Sequence, residues 1–362
     1  MSESRTFSMP LGPVHVALEE PVYFNLTVEG ETVRNVHLTS GHVHRGMEAL
    51  AMQRNIYKNA TLVERVCSLC SNSHSFTYTM VVENALGMRI PDRARYLRVM
   101  AEEIKRIASH LFNTAIQAHI IGFGSLFMHV MEVRELMQDV KETLYGNRMN
   151  LAANCIGGSK YDLPPDKMQY LKKQLEVIEP QLHEIQDIYA NDPMIRTRTF
   201  GLGLLPQKDA IALGVVGPVA RGSGLVVDCR KDTPYAAYNE LDFDVITAEG
   251  CCAWSRVQVR LSECFESIKL LRQCMERIPE GDIVTPVPDF TVNEAVARTE
   301  APRGEVFYYI RTNGTDTPAR LKWRVPSYMN WEALGVMMKD CKVADVALIT
   351  NSIDPCVSCT ER

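Results

Sequence analysis

The chain carries two C-x-x-C pairs, Cys67-x-x-Cys70 and Cys356-x-x-Cys359, near opposite ends of a 362-residue sequence. Two sulfurs at that spacing on a turn or helix start can face one metal ion, and two pairs supply the four thiolates of a soft-metal site. A zinc ribbon closes its pairs within about 15–20 residues. Here most of the protein lies between them, so a shared site can form only once the whole fold has assembled. The total of 11 cysteines is odd, and the opening MSESRTFSMPLGP has no basic stretch followed by an apolar run. Reduced cysteines in the cytoplasm are therefore expected, for metal binding, catalysis or core packing. Cys155, Cys229, Cys251, Cys252, Cys264, Cys274 and Cys341 have no paired partner and are expected to be small buried residues.

With 46% hydrophobic and 23% charged residues the chain can bury a large core, and a net charge of -5 gives no sign of a nucleic-acid partner. Its most apolar stretch, residues 116–131, is broken by Gln117, His119, Gly122, Gly124, Ser125 and His129. That falls short of the about 20 apolar residues of a membrane span. Alternation over Val22–Val28 and Val33–Leu38 around Glu29-Gly30-Glu31 predicts a hairpin. Ala94, Leu97, Met100, Ile104, Ile107, Leu111 and Ala115 step by three and four after Pro91-Asp92, which predicts a long helix. Further helices are expected from Pro165 towards Tyr189 and over Cys252–Ile278, with a loop-like stretch over Phe200–Asp232. Val306–Thr312 and Ala319–Arg324 flank Asn313-Gly314, a hairpin signal, and Asp345–Thr350 reads as one more strand. The expectation is one mostly α, α+β unit: a β region over 1–45, a helical core over 46–280, and a β-containing part over 281–362 that closes the metal site. His110, His119 and His129 fall on apolar helical faces and read as core histidines.

The segments around the cysteines are distinctive: His44-Arg45-Gly46-Met47-Glu48, Arg65-x-Cys67-x-x-Cys70-x-x-x-His74, and Asp354-Pro355-Cys356-x-x-Cys359-x-x-Arg362. They resemble the signature blocks of the large, catalytic subunit of nickel-iron hydrogenases. Gly12-Pro13-Val14-His15 and the Cys-Thr-Glu-Arg ending resemble the membrane-bound energy-converting branch, its Ech-type and carbon-monoxide-induced members. That branch is related to a quinone-site subunit of respiratory complex I, which has the fold but lacks the cysteines.

The resemblance implies reversible heterolytic cleavage of H2, with Cys67, Cys70, Cys356 and Cys359 holding nickel. Cys70 and Cys359 would bridge to an iron carrying carbon monoxide and cyanide. It implies that His74 bonds a bridging sulfur, and that Arg303 in Ala301-Pro302-Arg303-Gly304 lies over the metals paired with Asp354. Pro302 would pack beside the iron ligands, and Ser327 in Val325-Pro326-Ser327 would donate to a cyanide. Glu19, or Glu20 one residue on, would relay protons. Glu48 resembles a residue near a second, structural metal site, Mg or Fe, where other branches close with a terminal histidine; Arg362 in that place argues against the same ion. No cysteine set of ferredoxin spacing remains, so an iron-sulfur small subunit must supply the cluster that receives electrons. A ferredoxin-type donor, further hydrophilic and integral membrane subunits and ion translocation are implied, with the chain held peripherally on the cytoplasmic side of the membrane. Many relatives carry an extension beyond the last cysteine that a protease trims, whereas here the sequence stops three residues past Cys359. The rival readings are a metal-free complex-I-like quinone-site or scaffold subunit, and a structural zinc protein.

Overall fold

The computed structural model describes residues 6–15, 18 and 20–362. Three antiparallel strands open it: β1 (Thr6–Leu11), β2 (Tyr23–Glu29) and β3 (Thr32–Thr39), in the order β1-β2-β3. The alternation in β2 puts Phe24, Leu26 and Val28 fully inside. Two short helices, α1 (Met47–Met52) and α2 (Ile56–Glu64), lead into α3 (Ser71–Leu86).

The centre is α4 (Asp92–Ile121), which begins after Pro91 and ends where Gly122 adopts a left-handed C-cap. The sequence periodicity accounts for one face, where Leu97, Ile104, Ile107 and Leu111 are buried; each such side chain stabilises by roughly 1.5–3 kcal/mol. The polar face is buried as well, because α3, α5 (Gly124–Tyr145) and later α11 (Ala253–Arg277) pack around the helix. Its charges are therefore paired: Arg98 with Glu83, and Glu103 with Arg106 and Arg230.

A two-residue ladder, β4 (Asn154–Cys155) with β5 (Gly158–Ser159), precedes the long α6 (Pro165–Asn191). The stretch expected to be loop contains brief helices joined by turns: after α7 (Pro193–Thr199) come α8 (Gln207–Leu213), α9 (Pro218–Arg221) and α10 (Cys229–Asp232). A second sheet, β6 (Glu294–Ala301), β7 (Gly304–Arg311) and β8 (Arg320–Arg324), lays Val306, Tyr308 and Ile310 inward on the α3 side. The sequence signal marks β7 and β8 but not β6.

Four short helices finish the chain: α12 (Pro326–Asn330), α13 (Ala333–Met337), α14 (Val346–Ser352) and α15 (Val357–Glu361). The strand expected at Asp345–Thr350 is instead a 3₁₀ turn over Val343–Asp345 followed by α14. A short apolar run fits either element. Here α4 decides, since Asn113 Nδ2 donates to the Asn351 carbonyl at 3.0 Å along the helix-to-helix contact. Among the described residues no helix is long and apolar enough to cross a membrane.

Candidate metal centre

Each cysteine pair sits where a turn meets a helix. Cys70 is the N-cap of α3, so its sulfur lies at the positive end of a 16-residue helix. Cys356 caps α15, and Cys359 follows one turn later on the same face. Ile353 ends α14, Asp354 takes a left-handed backbone at φ 55, and Pro355 carries the chain into α15. A non-glycine residue at positive φ is uncommon, and aspartate is among the types that tolerate it.

The fold brings the four sulfurs together: the Sγ atoms of Cys67, Cys70, Cys356 and Cys359 all lie within 4.8 Å of one another, and all four residues are buried. Cys70 and Cys359, the second member of each pair, are 3.4 Å apart. With no oxygen or nitrogen ligand in the group, this donor set fits a soft, late transition metal and does not fit Mg²⁺ or Ca²⁺. Hydrogen bonds from Cys356, Cys359 and Cys67 hold Cys70 well below its usual value, while burial and the neighbouring Cys356, Cys67 and Cys70 push Cys359 well above.

His74 lies four residues beyond Cys70 on one face of α3. Its Nε2 is 3.3 Å from Cys359 Sγ, and its Nδ1 is 2.7 Å from the Tyr308 hydroxyl. Tyr308 from β7 thereby fixes the ring orientation. Arg303 occupies the two-residue turn of the β6–β7 hairpin with Pro302, since Ala301 pairs with Gly304. Its Nη2 donates to Asp354 Oδ1 at 2.7 Å, its Nε to the Asp354 carbonyl at 2.8 Å, and its Nη1 to Ser109 Oγ at 3.3 Å. Burial opposes the charge, but Asp354 and the cysteine sulfurs outweigh it and hold Arg303 protonated. The other Asp354 oxygen, Oδ2, is buried without a partner. The turn is fixed from behind by backbone contact: a Cβ on Gly217 would lie 2.2 Å from the Arg303 carbonyl oxygen. Ser327 Oγ accepts from the Cys356 N–H at 2.9 Å, which leaves its own proton free to donate.

Sequence reasoning misses how the backbone of the two cysteine segments is held. Arg45 stands out in the sequence only as part of a motif, yet its Nη2 donates to the carbonyls of both Val66 and Ser358 at 2.9 Å. Lys105 of α4 reaches the carbonyls of Ser68 at 2.9 Å and Met149 at 2.7 Å, and burial pushes its amine down to about 8. Glu20 accepts from the N–H of Val357 at 2.5 Å and of Ser358 at 3.1 Å, and from the Ser358 hydroxyl. It lines a recess of about 400 Å³ together with Arg45, Arg65, Cys67, Arg134 and Cys356. Glu19 lies outside the described residues.

Glu48 does not fit the second metal. Its Oε1 accepts from Arg362 Nε at 2.8 Å and from Trp323 N at 3.2 Å, and its Oε2 from Lys322 Nζ at 2.8 Å. Two side-chain cations and an amide donor already surround the carboxylate.

A family model described as the 49-kDa subunit of respiratory-chain NADH dehydrogenase matches residues 121–294 and 284–362. One described as nickel-dependent hydrogenase matches residues 45–114, which include the first cysteine pair. The carbon monoxide-induced hydrogenase of Rhodospirillum rubrum is 57% identical over 99% of this chain and 99% of its own length. The membrane-bound hydrogenase subunit alpha of Pyrococcus furiosus is 35% identical over 98% of this chain and 87% of its own. A component of the F(420)H(2) dehydrogenase of Methanosarcina mazei is 34% identical over 100% of this chain and 99% of its own.

Proposed function

The chain belongs to the family that unites the large subunits of nickel-dependent hydrogenases with the 49-kDa subunits of respiratory NADH dehydrogenase, and from that membership we propose that it catalyses reversible heterolytic cleavage of H2 as the catalytic subunit of a nickel-iron hydrogenase. The observation that carries this reading is the buried cluster of four cysteine sulfurs, for which a scaffold or quinone-pocket subunit has no need.

Cys67, Cys70, Cys356 and Cys359 would hold the centre, with iron carrying carbon monoxide and cyanide. Cys70 and Cys359, whose sulfurs lie 3.4 Å apart, would be two of the four thiolates that hold it. When bound, the nickel-iron centre supplies the redox-active electrophile at which H2 is polarised. The protein's part is electrostatic and protonic. Arg303, paired with Asp354 and permanently charged, would present a fixed positive field to the bound centre. With its proton on Nε2 and Nδ1 accepting from Tyr308, His74 would donate to Cys359 Sγ and withdraw electron density from that sulfur. Ser327 Oγ has a proton to offer a cyanide, and Pro302 would pack beside the iron ligands. A proton left on sulfur needs a carboxylate to leave a buried site, and Glu20 is suited to this because it lines the same recess as Cys67 and Cys356.

Electrons would leave to an iron-sulfur cluster of a small subunit. With a ferredoxin-type donor and a membrane arm that moves ions, the chain would sit peripherally on the cytoplasmic side of a membrane; relatives named as subunits of a membrane-bound hydrogenase and of a dehydrogenase support this reading.

Protein purified without air should contain nickel and iron near one each and show infrared bands of metal-bound cyanide and carbon monoxide. Zinc in their place would establish the structural-zinc reading, and absence of any metal the scaffold reading. Cys67→Ala or Cys359→Ala should abolish hydrogen turnover together with nickel binding; retained turnover in either would overturn the ligand assignment.

A further inference from the structure

The segment after Cys359 is held more tightly than a five-residue helix requires. Trp331 Nε1 donates to Thr360 Oγ1 at 3.0 Å, and Thr360 Oγ1 in turn donates to the Cys356 carbonyl at 2.9 Å. Glu361 accepts from the Val43 N–H at 2.5 Å, and its carbonyl oxygen lies 2.5 Å from His44 Nδ1. Arg362 Nε reaches Glu48 Oε1 on α1, while its Nη1 turns back to the Thr360 carbonyl at 2.9 Å. The ion pair is only partly exposed, and α1 also carries the chain that leads from Arg45, which touches both cysteine segments.

The charges around Glu48 say what this arrangement replaces. The Glu48 carboxylate faces two cations, Arg362 and Lys322, which occupy both its oxygens and oppose a further cation there. Beside it, Glu361 Oε1 is a buried carboxylate oxygen without a hydrogen-bond partner, and a single oxygen falls short of the octahedral set that Mg²⁺ requires. A planar guanidinium with several donors can bind a carboxylate and a helix carbonyl at once, as it does here.

We infer that Arg362 is a positioning residue whose guanidinium stands where a structural divalent cation would otherwise bind Glu48, clamping α15 and therefore Cys359 onto α1. This rests on the nickel-iron reading for its effect on the metal centre, while its claim about Glu48 stands apart from that reading.

The test uses the complex as purified without air. The native protein should show no additional Mn²⁺ site by electron paramagnetic resonance on titration with Mn²⁺, and its unfolding midpoint should be unmoved by a divalent-cation chelator. A stoichiometric Mn²⁺ site abolished by Glu48→Gln, or destabilisation by the chelator, would overturn the inference. Arg362→Gln should lower nickel occupancy by about tenfold, the loss of one charge-assisted hydrogen bond. In the molecules that remain loaded it should shift the cyanide bands. Arg362→Lys should recover most of both. Native occupancy and unshifted bands in Arg362→Gln would overturn the inference, whereas native protein without nickel would overturn the functional reading and leave the Mn²⁺ and chelator results to decide the claim about Glu48.

Discussion

The most exacting prediction concerns Gly217, which no motif marks and which touches no sulfur ligand. Its backbone, at φ 68 and ψ -149, lies in a region that residues with a side chain scarcely enter. It also meets the Arg303 turn backbone to backbone. A methyl group there would lie 2.2 Å from the Arg303 carbonyl oxygen and 2.5 Å from Gly304 Cα, against 3.4 Å for ordinary contact. The strands must then retreat by about 1 Å, with a strained backbone costing about 1–3 kcal/mol and overpacking a similar amount. A displacement of about 1 Å at a reacting centre reduces rate on the order of a hundredfold. Gly217→Ala should therefore keep its helical circular dichroism and its cysteine cluster while hydrogen–deuterium exchange activity per bound nickel falls by about that factor. Gly335→Ala, with nothing within 4 Å of the added carbon, is the matched control. Native exchange rates per nickel in Gly217→Ala would refute the claim that this contact sets the position of Arg303.

Other perturbations test the buried charges. Burial would raise Glu103, but Arg106 and Arg230 bring it down to about 2, below its usual 4.5. It therefore stabilises the fold above the usual value, and that contribution is lost as pH falls from about 4.5 to about 2. Glu103→Gln should destabilise by about 3–5 kcal/mol at neutral pH in denaturant unfolding and flatten the acid limb; an unchanged limb would refute the assignment. Burial and the neighbouring cations Lys105 and Arg134 push Lys141 down to about 6 from 10.5. A depressed base lowers stability fully below its folded value, and the effect fades as pH rises towards 10.5. Lys141→Met should accordingly stabilise by about 1–4 kcal/mol at low and neutral pH and progressively less in alkali; a loss of stability would contradict this. Glu20→Gln keeps an oxygen for the α15 amides, so nickel should remain while turnover falls on the order of a hundredfold. Unchanged turnover would move the relay to Glu19.

What the sequence made legible is what physics makes local. A C-x-x-C pair defines its own geometry within one turn, His74 shares a face with Cys70 because both belong to one helix, and the three- and four-residue steps from Ala94 onwards need only their own hydrogen bonds. The strand expected at Asp345–Thr350 became a helix because so short an apolar run takes the form its neighbours allow, and its neighbour is α4. Strand β6 escaped because its apolar run is only residues 295–297, with Val296 exposed, and the polar Thr299 and Glu300 that follow are buried only in the assembled fold.

The site divides in the same way. Its ligands lie in local motifs, whereas the groups that support those motifs act across the chain: Arg45 spans from Val66 to Ser358, Lys105 reaches back to Ser68 in the first segment, and Glu20 caps a helix of the second 337 residues away. Each donates to, or accepts from, a backbone group, and a backbone group is the same at every residue, so no residue type at the far end announces the contact. The cysteine spacing of a soft-metal site is therefore a statement about ligands alone. Besides the side-chain contact of His74 with Cys359, the two half-sites at opposite ends of the chain are joined by Arg45, whose partners are backbone carbonyls of both segments. Loss of Arg45 should consequently resemble loss of a ligand in nickel content while leaving all four thiols in place for counting by alkylation of the metal-free protein. A fully nickel-loaded Arg45→Ala would show that the cysteine turns hold their register without it.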